Sequence, residues 1–91
     1  QYDGNEIYDA LMNQGNTTLG TGNFAQAMTY YEAAMTVKPD QDEPVYQAAW
    51  CAQNSGNADR ARELYQRIIT EFPRSSRYND AASHLRDLGG A

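Results

Sequence analysis

The sequence has one cysteine, Cys51, and one histidine, His84. A single thiol cannot close a disulfide within the chain, and it fixes no redox compartment. Cys51 and His84 fall on different predicted helices with no third partner in view, so no nucleophile–base set can be assembled around them. Cys51 reads as a small buried hydrophobe. Basic residues are also scarce, with 7 Lys and Arg against 12 Asp and Glu and a net charge of −5. That balance weighs against nucleic acid, which needs clustered cations on its phosphates. It weighs equally against an anionic membrane surface. No apolar run reaches the ~18 residues of a membrane-spanning helix.

Other chemistry is missing too. The nearest approach to a phosphate-binding loop, "GTGN" at Gly20–Asn23, lacks the preceding strand and the lysine. "DQDE" at Asp40–Glu43 lacks the glycine and distal glutamate of a calcium loop. It reads as a solvated turn that places acid near a helix N-terminus. No spacing suits a metal site. The sequence gives no catalytic residues, no metal ligands and no cofactor, and the reading is of a protein that is not an enzyme.

What is present is a chain of 91 residues with 41% hydrophobic residues, enough for one small domain over residues 1–91 with a single core. It opens at Gln1, which points to a processed product or an excised part of a larger protein. "GNFAQAMTYYEA" at Gly22–Ala33 has a counterpart in "GNADRARELYQR" at Gly56–Arg67. Gly22 and Gly56, Asn23 and Asn57, Ala27 and Ala61, Tyr31 and Tyr65, and Pro39 and Pro73 are each 34 residues apart with no gap. Five matches in one register mark a duplicated structural unit.

Each unit reads as two helices. In "EIYDALMNQGNTTL", Ile7 with Leu11 and Tyr8 with Met12 make an apolar face at i, i+4. Gly22 suits the end of that helix. Asn23 caps the next, with Gln26 three residues on as a capping-box partner. Phe24, Ala27, Met28, Tyr31, Ala34 and Met35 form its stripe, and Pro39 blocks continuation. Pro44 fits the first turn of a third helix. After the turn at Gly56–Asn57, a fourth points Ala61, Leu64, Tyr65, Ile68, Ile69 and Phe72 inward and stops at Pro73. A fifth is expected over about Ser76–Leu88, with Tyr78, Ala81, Ala82, Leu85 and Leu88 apolar and Gly89–Gly90 ending it. There is no strand signal. The stretch at Gly22–Ala33 is therefore structural: Ala27 and Ala34 let helices approach, and Tyr31 and Phe24 fill the space between them.

In these residues the chain resembles the tetratricopeptide repeat family, whose unit is a 34-residue helix-turn-helix. The matching positions are Leu11, Gly15, Gly22, Phe24, Ala27, Tyr31, Ala34 and Pro39 in the first unit, then Ala49, Gly56, Ala61, Tyr65 and Pro73 in the second. Gln14, Thr18, Val45, Ala58 and Ile68 depart from the pattern without disturbing the register. The resemblance implies an all-α, solenoid-like fold: one repeat over about 8–41, a second over about 42–75, and a capping helix over about 76–88.

It also implies a concave surface, lined by the first helix of each pair, on which extended peptides bind. By register that surface carries Asp9, Met12, Asn16 and Leu19, then Glu43, Tyr46, Trp50 and Gln53, then Arg77, Asp80, His84 and Asp87. Asn16, Trp50 and His84 fall in one column; Met12, Tyr46 and Asp80 fall in the next. The partner-binding candidates are Met12, Asn16, Leu19, Tyr46, Trp50, Gln53, Arg77 and His84. Tyr46 and Trp50 share a helix face at i, i+4 and are rings of the kind that dominate binding hot spots. Trp50 has a second reading, as core between the third and fifth helices.

Some members of the family grip a C-terminal carboxylate with Lys, Arg and two Asn. Here Asn16 and Arg77 match, but Met12, Gln47 and Ala81 do not, so no such clamp is expected. The expected ligand is a protein or peptide segment, held by aromatic and hydrogen-bonding contacts and basic in charge. The other reading is a scaffold domain that assembles, with its own copies or within a longer protein, through an open edge at Tyr2, Ile7 and Tyr8, with the polar fifth helix as a solvating cap. "FPRSSRYNDAASHL" resembles repeat units of bacterial envelope proteins, which implies a membrane-anchored parent with this segment outside the membrane.

Overall fold

The computed structural model describes residues 3–89. They form five α-helices and, among the described residues, no strand: α1 (Gly4–Gly20), α2 (Phe24–Val37), α3 (Glu43–Asn54), α4 (Ala58–Glu71) and α5 (Tyr78–Asp87). Consecutive helices pack on one another in chain order. The result is a helical-repeat slab of 44 × 28 × 17 Å. Tyr2 and Gly90, named in the sequence reading, lie outside the described residues.

The duplicated turn is built twice in the same way. Gly22 and Gly56 take φ of +83° and +84°, a left-handed conformation that costs a side chain-bearing residue ~1–2 kcal/mol. The following asparagine then caps the next helix. The Asn23 side chain accepts from the Gln26 backbone N–H, and Asn57 accepts from that of Arg60, each at 3.3 Å. The Asn23 side-chain amide also donates to Gln26 Oε1 at 3.1 Å, but its backbone N–H donates to the Thr18 carbonyl at 3.3 Å, so only the Asn23 half of the expected box forms. Pro44 lies in the first turn of α3, where its missing N–H leaves no bond unmade.

α5 is shorter than its apolar pattern suggests, beginning at Tyr78 rather than near Ser76. Ser75 explains the delay. Its Oγ donates to an Asp42 carboxylate oxygen and accepts from the Arg77 N–H at 2.9 Å, holding residues 75–77 in a turn. Gly89, at φ +77°, follows the last turn.

The core runs through the middle of the slab. Ala27, Tyr31 and Ala34 of α2, Val45, Ala48, Ala49, Cys51 and Ala52 of α3, Ala61, Leu64, Tyr65 and Ile68 of α4, and Ala81 and Leu85 of α5 are buried. Two fully buried tyrosines are its largest members, and both find partners for their hydroxyls, as buried phenols must. Tyr31 donates to Asn16 Oδ1 at 2.5 Å, and Tyr65 donates to Gln53 Oε1 at 2.8 Å. Phe24, Ile69, Phe72 and Leu88 are half-buried at its margin. Across α2 and α4, the Arg60 guanidinium meets Glu32 Oε2 at 2.7 Å and also pairs with Glu63. Arg62 Nη1 donates to the Leu88 carbonyl at 2.9 Å and ties α4 to the end of α5.

Candidate functional site

The concave-face candidates sit on α1 and α3, on Arg77 at the N-cap of α5, and on α5 itself. By register they share one side, and their contacts divide them into two groups. Around α3 and α5 they are bound to each other. Tyr46 is only 8% exposed. Its ring meets Tyr65 edge-on at 5.9 Å between centroids, and the Arg77 guanidinium carbon lies 4.4 Å from the Tyr46 centroid. Its hydroxyl approaches His84 Nε2 at 3.4 Å. The His84 ring in turn stacks on Tyr65 at 5.0 Å and 12° between planes.

Arg77 is drawn over this cluster by Glu43. Its Nε and Nη2 reach the two Glu43 carboxylate oxygens at 3.3 and 3.2 Å, a two-pronged contact. That hydrogen bonding and charge hold the guanidinium's pKa above its ordinary value. Glu43 Oε2 also accepts from Gln47 Nε2 at 2.8 Å. Burial pushes the Tyr46 phenol up, with Asp80 and Glu43 adding to the shift and Arg77 opposing it. Glu43 and Arg77 are one repeat apart and opposite in charge, so the 34-residue register contained the signal for this pair, although composition alone did not.

Between α1 and α3 the candidates contact residues of α2 and α4 rather than one another. Asn16 is exposed, while Met12, Leu19, Gln53 and Trp50 are half-buried. The Trp50 ring meets Phe24 of α2 edge-on, with centroids 5.5 Å apart and 70° between planes. Its aromatic neighbour therefore lies on the α2 side rather than between α3 and α5. The column Asn16, Trp50, His84 thus resolves into three environments: Asn16 accepts from Tyr31, Trp50 leans on Phe24, and His84 lies on Tyr65. Gln53 is engaged by the Tyr65 hydroxyl. Ala81, at the last basic position of a carboxylate clamp, is fully buried.

Cys51 is fully buried, and burial raises its thiol to about 11, which suits packing and not nucleophilic chemistry. Among the described residues no group of His, Cys, Asp and Glu is placed to hold a metal ion, and no helix is long and apolar enough to cross a membrane.

The repeated glycine–asparagine turn, the alanine contacts and the paired core tyrosines coincide with a sequence-family match. The tetratricopeptide repeat model aligns with residues 18–85, well over half of the chain. The chain belongs to the tetratricopeptide repeat family. Repeats of this family generally mediate protein–protein interaction and are typically non-catalytic modules. No curated protein matches the chain.

Proposed function

We propose that this tetratricopeptide repeat protein binds an extended peptide segment of a partner protein on the α1–α3 half of its concave face. The observation that carries the reading is the contrast between Trp50 and Tyr46. Trp50 is half-buried and shares its face by register with Met12, Asn16 and Leu19, while Tyr46 is withdrawn under Arg77. Trp50 is then the aromatic anchor, and Asn16 and Gln53 offer amide N–H donors to a peptide backbone, since both side-chain carbonyl oxygens are already engaged by tyrosines. Tyr46, His84 and Arg77 act behind them: their mutual stacking fixes the wall of the groove.

Charge favours a basic ligand. Asp9, Asp80 and Asp87 line the same face exposed, and Arg77, its principal cation, is committed to Glu43. The test is a display-library selection of peptides on the folded protein, followed by affinity measurement against Trp50→Ala, Asn16→Ala and Ile7→Ser variants. Selected peptides rich in Lys, Arg and aromatics, weakened at least tenfold by Trp50→Ala and unchanged by Ile7→Ser, are expected. Concentration-dependent self-association with no peptide selected would favour the scaffold reading.

A further inference from the structure

The duplication provides an internal standard for what a first helix looks like when it is covered. In α3, Pro44, Val45, Ala48, Cys51 and Ala52 are buried between α2 and α4. The positions 34 residues earlier, on α1, are Ala10, Leu11, Gln14, Thr17 and Thr18. Of these, Ala10, Gln14 and Thr17 are exposed and Leu11 and Thr18 half-buried. Beside them Ile7, the exposed large hydrophobic residue among those described, is 42% exposed. Glu6, Ile7, Ala10 and Leu11 line an apolar depression of about 330 Å³. What covers this face in α3 is a helix, α2.

The charge around the depression is of one sign. α1 carries Glu6 and Asp9, is capped by Asp3, and has no Lys or Arg. Through residue 58 the chain has seven acidic residues and one basic residue, Lys38. Lys38 is already engaged, its Nζ lying 4.9 Å from the centroid of the Tyr8 ring. Asp40, Asp42 and Glu43 lie close enough to Tyr8 that, after burial, their charges and that of Asp9 raise its phenol pKa. Among its described residues a second copy of this chain offers no basic amphipathic helix with its apolar face free. The arginine-bearing helices α4 and α5 have their apolar faces in the core, and α4's Arg60, Arg62 and Arg67 each pair with a carboxylate.

We propose that the outer face of α1, at Ile7, Ala10 and Leu11, docks an amphipathic helix of a partner protein that carries basic residues beside its apolar stripe. The partner's apolar side chains enter the depression, as helix anchors spaced i, i+3 or i+4 do. Its Lys or Arg side chains meet Glu6, which lines the depression, where charge sets orientation and association rate. This surface lies on a different face of α1 from the peptide groove and does not depend on it.

The probe is a labelled 14-residue Leu/Ala/Lys amphipathic helix, read by fluorescence anisotropy on the full chain, with a twin bearing Glu for Lys as control. Saturable binding of the basic helix is expected, with none of the acidic twin. Ile7→Ser should weaken binding at least tenfold, as should Glu6→Lys, while Trp50→Ala leaves it unchanged. Circular dichroism of each variant checks the fold, and a partly exposed position such as Ile7 tolerates serine. Equal binding by Ile7→Ser would reduce the contact to unspecific charge attraction and overturn the proposal. So would loss of binding in Trp50→Ala, which would assign the probe to the groove. A concentration-dependent dimer abolished by Ile7→Ser would overturn it in favour of a second copy.

Discussion

A methyl group added at Gly15 would lie 2.7 Å from Cε1 of Tyr31. Gly15 is thus a contact residue: α1 meets the flat of the Tyr31 ring with its backbone. The ring cannot swing aside, because it is fully buried and its hydroxyl is held by Asn16 on the same helix. Gly15→Ala should therefore destabilise the protein. Alanine gains up to ~1 kcal/mol of helix propensity, but overpacking a rigid site costs ~1–3 kcal/mol. A net loss in urea unfolding is expected, with a drop of several degrees in Tm. An increase would mean that α1 can shift away from Tyr31.

The second unit has Ala49 where the first has Gly15, and it packs without a glycine. There Tyr65 bonds to Gln53 rather than to Trp50, the residue at the register position of Asn16. Tyr65→Phe removes one bond to a half-exposed acceptor and should cost ~0.5–1.5 kcal/mol. Tyr65→Ala empties the core between α3 and α5 and should cost ~3–5 kcal/mol. It should also release His84, which loses its stacking surface. Paired denaturation curves, with the His84 ring proton shifts followed by NMR, check both.

Gly56 holds the second turn at positive φ with no side chain near it, so the obstacle to replacement is backbone conformation alone. Gly56→Ala should cost ~1–2 kcal/mol, and Gly56→Asn less, since asparagine enters the left-handed region more readily. Thermal unfolding of the two variants should rank them in that order.

Alkali should unfold the protein over a defined window. Burial raises the Cys51 thiol to about 11 and the Tyr31 phenol to about 12, and it raises Tyr65 further. Each group is an acid whose neutral form the fold prefers. Its contribution is complete below its ordinary pKa, near 9 for cysteine and 10 for tyrosine, and is lost as pH rises through the raised value. Stability should therefore hold to about pH 9 and fall between about pH 9 and 12. Cys51→Ala should move the onset toward pH 10, and a pH series of urea midpoints checks it.

The elements most legible in the sequence were those that repeat. Gly22 with Asn23 and Gly56 with Asn57 marked the turns because the same backbone need arises twice, and alanine and tyrosine at fixed spacing marked the core. The start of α5 was not legible, because Ser75 reaches across to Asp42 in a contact that no local pattern encodes. Ile7 was readable as part of an apolar stripe, but its exposure depends on the absence of a covering helix among the described residues. In the candidate site, the 34-residue register paired Arg77 with Glu43 but could not tell that this pair would draw the guanidinium over Tyr46. That outcome depends on the Glu43 carboxylate one repeat away. The bond from Arg60 to Glu32 follows no repeat spacing and had no sequence signal.

Trp50 is the chain's one tryptophan, so its emission reports directly on the surface assigned to the peptide. The decisive measurement is a fluorescence titration of the intact protein with a library-selected basic peptide that itself lacks tryptophan. Saturable blue-shifted emission is expected, as the half-exposed indole is covered, with a midpoint matching the affinity measured independently. Tight binding with no change in Trp50 emission would contradict the account and move recognition off the α1–α3 face.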